Sequence, residues 1–336
     1  MTKRIRLADL ATHAGVSTAT VSRVLNGKHS VAPDTRQAVL AALDLLGYER
    51  PEQLRERSGG LIGLILPELT NPIFPQFAQY LEGAMTMHGY TPLLGTQIAG
   101  GATEDSYVEA MVEHRVDGLI FVSGLHADAT ASLERYHRIT ALGIPFVTMN
   151  GFNSGLSIPD FSTDDASAIR QSVRHLVGLG HKKIGLATGP IRFGPARVKT
   201  ETFIETMARM LPREHAHRSH TLFTVEGGVS ACTDLIAQGC TAIIFASDVM
   251  AYGAIRYCQS SGLRIPEDLS IVGYDDSPLN AFTNPPLTTL HQPVKTMCET
   301  AVTTLIGMIN GTQSSIGAMK FEPELIVRES TTPPRK

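Results

Sequence analysis

Tryptophan is absent from this 336-residue sequence, cysteine occurs only four times, and no apolar run approaches the roughly 20 residues that a membrane-spanning helix requires. Cys232, Cys240, Cys258 and Cys298 are widely spaced and match no metal-ligand pattern, so reduced, buried thiols are expected. The first residues are charged rather than apolar, which argues against a secretory leader and for a cytoplasmic location. Phosphate-cradling motifs are missing too: no G-x-G-x-x-G follows a strand-like run, and no G-x-x-x-x-G-K-[ST] occurs. The nucleophile elbow G-x-S-x-G is absent, and twelve histidines form no H-E-x-x-H. These gaps leave no catalytic residue, metal site or cofactor to expect, and they count against an enzyme built on a Rossmann-like sheet.

What is present is unevenly charged. The chain carries a net −3, yet residues 1–48 hold six Lys/Arg against three acids, a local +3 that leaves −6 for the remainder. Such an end attracts phosphates while the rest is free for another task. Within it, residues 7–26 read LADLATHAGVSTATVSRVLN. Leu7, Leu10, Ala11 and Ala14 recur at helical spacing, Gly15-Val16 breaks the pattern, and Ser17 can cap a second helix carrying Val21, Val24 and Leu25. The spacing predicts a helix-turn-helix. A third helix follows: Pro33 suits a first turn, Asp34 and Gln37 have capping-box spacing, and Val39, Leu40, Leu43, Leu45 and Leu46 form an apolar stripe before Gly47.

From Leu61 short apolar runs alternate with helical stretches. Leu61–Leu66, Pro92–Leu94, Gly118–Val122, Phe146–Met149, Ile184–Ala187, Ala242–Ala246 and Ser270–Gly273 read as buried strands; Phe74–His88, Ala166–Leu179, Ala196–Met210 and Val249–Ser260 read as helices. The expected fold is therefore an all-α helix-turn-helix headpiece followed by an α/β core of two doubly wound parallel-sheet lobes. The expected division is 1–48 for the headpiece, 49–60 for a linker and 61–336 for the core. A secreted solute-binding protein would suit the core but not the added helix-turn-helix.

LADLATHAGVSTATVSRVLNG and VAPDTRQAVLAALDLLGY resemble the DNA-binding headpiece of the lac repressor family of bacterial transcription factors. The resemblance continues through LIGLILPELTNPIFPQF, STDDASAIRQSVRHLVGLGHKKIGLATGP, ASDVMAYGAI, IPEDLSIVGYDDSPLNAFTNPPLTTLHQP and ELIVRES, nearly the whole chain. It implies a core like the periplasmic binding proteins, with two lobes joined by three crossovers and a ligand between them. It further implies a homodimer that binds double-stranded operator DNA, most naturally as a repressor, under the control of a small-molecule effector. A sugar is the expected effector, with a nucleoside or purine as the alternative; no membrane is involved.

The resemblance assigns base-facing positions to Thr18, Ala19 and Arg23, and Arg23 can donate two hydrogen bonds to a guanine edge. Ser17, Ser22, Asn26 and Thr35 are better placed for phosphates. Arg6 stands where related chains usually have a threonine or serine cap. The linker also departs from the pattern, since thirteen residues separate Tyr48 from Ile62, about five fewer than the resemblance implies. Leu54 is the one leucine able to wedge the minor groove, Ser58 stands where the usual leucine would be, and a plain polar tether is the other reading.

For the effector, Asp275 in VGYDD resembles the carboxylate that accepts from ligand hydroxyls. Lys199 replaces the usual arginine, and Phe223 matches a stacking aromatic, with Phe74 as a second stacking candidate. Asn71, Ser123, Asn150, Ser247 and Gln292 complete a polar set at strand ends or the loops after them. Asp164, Asp165 and Asp248 are expected to cap helices. One cation and one anion in the pocket favour a neutral sugar over a sugar phosphate.

Overall fold

A computed structural model describes residues 7–26, 31–46, 59–97, 100–312 and 314–335, which fall into two compact units. The first contains three helices, α1 (Leu7–Ala14), α2 (Thr18–Leu25) and α3 (Pro33–Leu45). Gly15, at φ +64°, makes the turn between α1 and α2, a backbone conformation that costs glycine nothing. Ser17 caps α2, its hydroxyl accepting from the Thr20 N–H at 3.1 Å. Leu10, Val21, Val24, Val39 and Leu43 are fully buried and close the bundle.

Two expectations fail here. Leu45 is 77% exposed and Leu7 44%, so neither belongs to the buried stripe. The Asp34–Gln37 box does not form because Ala32 occupies the cap position with no side-chain bond, and Pro33 begins α3. Proline's preset φ and missing N–H reduce the need for a cap there.

The second unit contains two six-stranded sheets. The elements in chain order are β1 (Gly60–Leu66), α4 (Ile73–Met87), β2 (Tyr90–Thr96), α5 (Glu104–Glu113), β3 (Gly118–Val122), α6 (Glu134–Ala141), β4 (Phe146–Met149) and β5 (Pro159–Thr163). There follow α7 (Asp165–Gly178), β6 (Ile184–Thr188), α8 (Gly194–Met210), β7 (His217–His220), α9 (Val225–Ala237), β8 (Ala242–Phe245), α10 (Asp248–Ser260), β9 (Ser270–Asp275) and β10 (Thr288–His291). Last come α11 (Val294–Ile309), β11 (Gly317–Phe321) and β12 (Glu324–Ile326).

The first sheet runs β2-β1-β3-β4-β5-β11 and the second β7-β6-β8-β9-β10-β12. Parallel pairing sets Ile62 opposite Gly118 in the first and Ile184 opposite Ala242 in the second; β12 pairs antiparallel with β10. Period-two alternation explains the continuous apolar strands. Along β8, Ala242 and Ile244 join a cluster with Leu186 and Phe203, whereas Ile243 and Phe245 join another with Leu235 and Met250. Both faces are buried, so both must be apolar.

Three short connections pass between the lobes: Asp164 between β5 and α7, Gln292-Pro293 between β10 and α11, and Glu322-Pro323 between β11 and β12. Strands β5, β7, β10, β11 and β12 are not among the runs expected from the sequence, and none is a continuous apolar run. In β5 the buried Asp160 accepts from Thr148 Oγ1 at 2.9 Å, and burial pushes its carboxyl up to about 6. All four cysteines are buried and unpaired.

Candidate DNA-binding and effector sites

In the helical unit Thr18, Ala19 and Arg23 are exposed on α2. Ala19 and Arg23 are four residues apart and therefore share a helix face. Ser17 and Asn26 are occupied at the two ends of this helix: Ser17 caps its start, and Asn26 Nδ2 donates to the Ser22 carbonyl at 2.8 Å. Ser22 and Thr35 are half-buried. Leu54, Ser58 and Arg6 lie outside the described residues.

A cavity of about 230 Å³ lies between the two sheets' lobes. All nine residues expected from the sequence line it. Asn71 and Phe74 stand at the start of α4, Ser123 follows β3, Asn150 follows β4, and Lys199 projects from α8. Phe223 follows β7, Ser247 follows β8, Asp275 ends β9, and Gln292 sits in the connection after β10. Parallel strands deliver such residues because their carboxyl ends open on one crevice. Ser123 (φ +48°), Asn150 (φ +57°) and Asp275 (φ +123°) hold left-handed backbone conformations that are costly outside glycine. Strain of this kind gathers where side chains must be aimed.

Asp275 is the centre of the polar wall. Its Oδ1 accepts from Gln292 Nε2 at 2.7 Å, and Gln292 Oε1 accepts in turn from Thr163 Oγ1 at 2.7 Å. The other oxygen, Oδ2, is buried with no hydrogen-bond partner. Burial, and then the nearby Asp248 carboxylate, raise the Asp275 carboxyl well above the usual carboxylate range. Such an acceptor is costly to leave unsatisfied and is suited to a donating hydroxyl.

Two of the three aspartates expected to cap helices depart from expectation. Asp248 does not cap α10. Ser247 does, accepting from the Met250 N–H at 3.3 Å, while Asp248 is buried beneath and takes bonds from the Ser277 N–H, Asn280 and Thr289. Desolvation pushes the Asp248 carboxyl up to about 7. Asp164 caps α7 as expected, but Asp165 faces the cavity, where its Oδ1 takes both the Lys199 ammonium and the Tyr274 hydroxyl, the latter at 2.6 Å. Lys199 also sits 4.1 Å from the centre of the Tyr274 ring.

Glu68, Asp165 and Asp275 thus set three carboxylates against one lysine among the described lining residues, not one against one. Sequence reasoning missed Glu68, Asp165, Tyr274 and Phe193. Asp165 looked like a cap, and Phe193 lies in the loop between β6 and α8, where the sequence carries no apolar run or motif. Phe223 is half-buried, and its ring occupies the space a Cβ at Gly189 would need, 2.0 Å from Cε2. A methyl group at Gly189 would displace the ring.

His126, beside the cavity-lining Ala127, is fully enclosed, with Nε2 3.2 Å from the Met149 carbonyl and Nδ1 without a partner. Burial lowers its pKa to about 4, so the folded ring stays neutral where an unfolded one protonates. The unfolded chain therefore binds more protons between pH 6.5 and about 4, and stability is lost as pH falls through that window. The loss expected from this residue is on the order of 3 kcal/mol. Urea unfolding at pH 7 and pH 4.5 should show a smaller loss for His126→Gln than for the unsubstituted chain; identical losses would remove His126 as a cause.

Residues 6–51 match the lacI family of bacterial regulatory proteins, and residues 173–331 match the periplasmic binding protein-like domain. The HTH-type transcriptional regulator MalR of Streptomyces coelicolor is 54% identical over 331 residues, covering 97% of this chain and 96% of the relative. The chain belongs to the LacI family. Two solved structures extend the likeness. The transcriptional regulator CelR–cellobiose complex aligns with TM-score 0.72 and 27% identity, over 97% of this chain and 100% of that one. The lac repressor dimer bound to operator and the anti-inducer ONPF aligns with TM-score 0.70 and 27% identity, over 98% and 100%. The chain is a LacI-family transcriptional regulator, and its relatives are regulators, not enzymes.

Proposed function

We propose that this LacI-family regulator is a sequence-specific repressor that binds a two-fold operator as a homodimer and is controlled by a neutral sugar held between its core lobes. Residues 1–48 act as the headpiece, 49–60 as the linker and 61–336 as the effector and dimer core, in the cytoplasm. The unsatisfied Oδ2 of Asp275 carries the effector reading. A hydroxyl-bearing ligand supplies its missing donor, while the three carboxylates repel a phosphate and the one lysine is already paired with Asp165. Ile73, Phe74, Phe193 and Phe223 offer apolar surface to the faces of a sugar ring.

The relative solved with cellobiose supports a saccharide, and the operator-bound lac repressor dimer supports DNA and dimerisation. One headpiece buries too little surface for tight specific binding, so two are needed. Phe282, 85% exposed, and Leu279 offer apolar surface on the second lobe for a partner copy. In this reading effector binding shifts the population between two core states and thereby changes operator affinity.

A thermal-shift screen of the full chain against glucose, ribose, maltose, cellobiose, glucose 6-phosphate and adenosine tests the effector class. A ligand confined to the folded state adds about 2.7 kcal/mol of apparent stability at a hundred times its Kd. A neutral saccharide should raise Tm. A shift with glucose 6-phosphate or adenosine and none with the sugars would contradict the assignment.

A further inference from the structure

The two lobes meet at a second place besides the three chain connections. The turn after β3 and the loop before α8 pair as an isolated antiparallel bridge, Asp128 opposite Phe193. The Ala129 N–H donates to the Arg192 carbonyl at 2.9 Å, and Arg192 Nε donates to Asp128 Oδ2 at 2.8 Å. Asp128 is held for this contact. Its Oδ1 takes both the N–H of Thr130 at 2.9 Å and its hydroxyl at 2.7 Å, leaving Oδ2 for the guanidinium.

Burial works against the charge on Asp128, yet the Thr130 and Arg192 bonds keep its carboxyl below the usual range. The Arg192 guanidinium also lies 4.8 Å from the centre of the Phe193 ring, which fixes the cation's position. Ala127 and Phe193, next to the bonded pair, both line the effector cavity, as does Gln292 in a chain connection. The cavity is therefore bordered by covalent connections and by this contact.

We propose that Asp128 and Arg192 form a clasp that holds the lobes closed over the cavity and governs how readily a ligand enters and leaves. The chain connections fix the lobes at one border; the clasp is the breakable contact. The pair joins a half-exposed arginine to a buried carboxylate, and it opens only as the lobes part and water reaches Asp128; each partner sits in its own turn, so the rest of the fold need not change. The consequence for ligand exchange rests on the cleft being the effector site; the clasp itself does not.

The chain's own composition makes the test clean. Its four cysteines are buried, so spin labels attach selectively to cysteines introduced at the exposed positions Arg138 in α6 and Glu205 in α8, one per lobe. Pulsed dipolar distances are then compared for unsubstituted Arg192, Arg192→Lys, Arg192→Ala and Arg192→Glu in the full chain. The expected order is a distance shifting to longer values from Arg to Lys to Ala to Glu, because Glu adds repulsion against Asp128. Unchanged distributions in both Arg192→Ala and Arg192→Glu would overturn the clasp. The proposed effector site stands apart from that outcome, since Asp275 and its neighbours are untouched. Lengthened distances in variants whose Tm shift with a saccharide identified by the screen is unaltered would confirm the clasp and count against the cleft as the sugar site.

Discussion

Asp275→Asn is expected to lose most of the effector response, with effector affinity reduced about 10- to 150-fold, while operator binding without effector stays unchanged. The range follows from about 1.5–3 kcal/mol for a hydrogen bond to a charged group. Asparagine keeps the oxygen that accepts from Gln292 but presents an amide where the free carboxylate oxygen stood. A ligand hydroxyl that donated to Oδ2 then meets a donor. The substitution also removes a buried charge facing Asp248, so the variant should melt no lower than the unsubstituted protein. Loss of response with retained Tm separates a ligand contact from a folding defect.

The ionised carboxylate is the form that accepts, and its pKa is raised, so effector affinity should fall as pH is lowered; in Asp275→Asn that dependence should flatten. Calorimetric titration across pH measures both.

Arg23→Ala has the second large effect, on DNA rather than ligand. Arg23 is exposed on α2 and outside the bundle core, so its truncation leaves the fold intact. A bidentate arginine–guanine pair contributes about 1–3 kcal/mol of discrimination, so the preference for operator over random duplex should fall about 5- to 150-fold. Competition titrations at fixed salt, with specific and random duplexes, report the ratio. Equal weakening on both would reassign Arg23 to the phosphate backbone.

Much of this is legible in the sequence alone, for a physical reason. Strands buried on both faces, such as 118–122 and 242–245, must be apolar throughout, and a headpiece helix must interrupt its apolar period at the turn. The cavity residues were legible for a different reason, the resemblance to the lac repressor family, whose pocket positions carry over one at a time; that parallel strands end at a common crevice explains why Ser123, Asn150, Ser247 and Asp275 converge there.

What sequence hid were side chains whose role depends on contacts far along the chain. Asp165 has the position of a helix cap, and only the approach of Lys199 and Tyr274 turns it toward the cavity. Asp248 likewise looks like a cap until Ser277, Asn280 and Thr289 are seen around it. Strands β5 and β7 stayed hidden because their polar residues are satisfied by neighbours that no local pattern reveals. His217, for example, pairs with Gln238 through Nδ1 at 2.9 Å.

If a ligand between the lobes sets operator affinity, the coupling must be reciprocal. The direct measurement titrates the saccharide identified by the screen into the full chain, once free and once saturated with its operator duplex. Operator should change saccharide affinity by the same factor, and in the same direction, as the saccharide changes operator affinity, and Asp275→Asn should leave too little saccharide binding for the factor to be measured. Saccharide affinity that is identical with and without operator would contradict the control of DNA binding by this cleft.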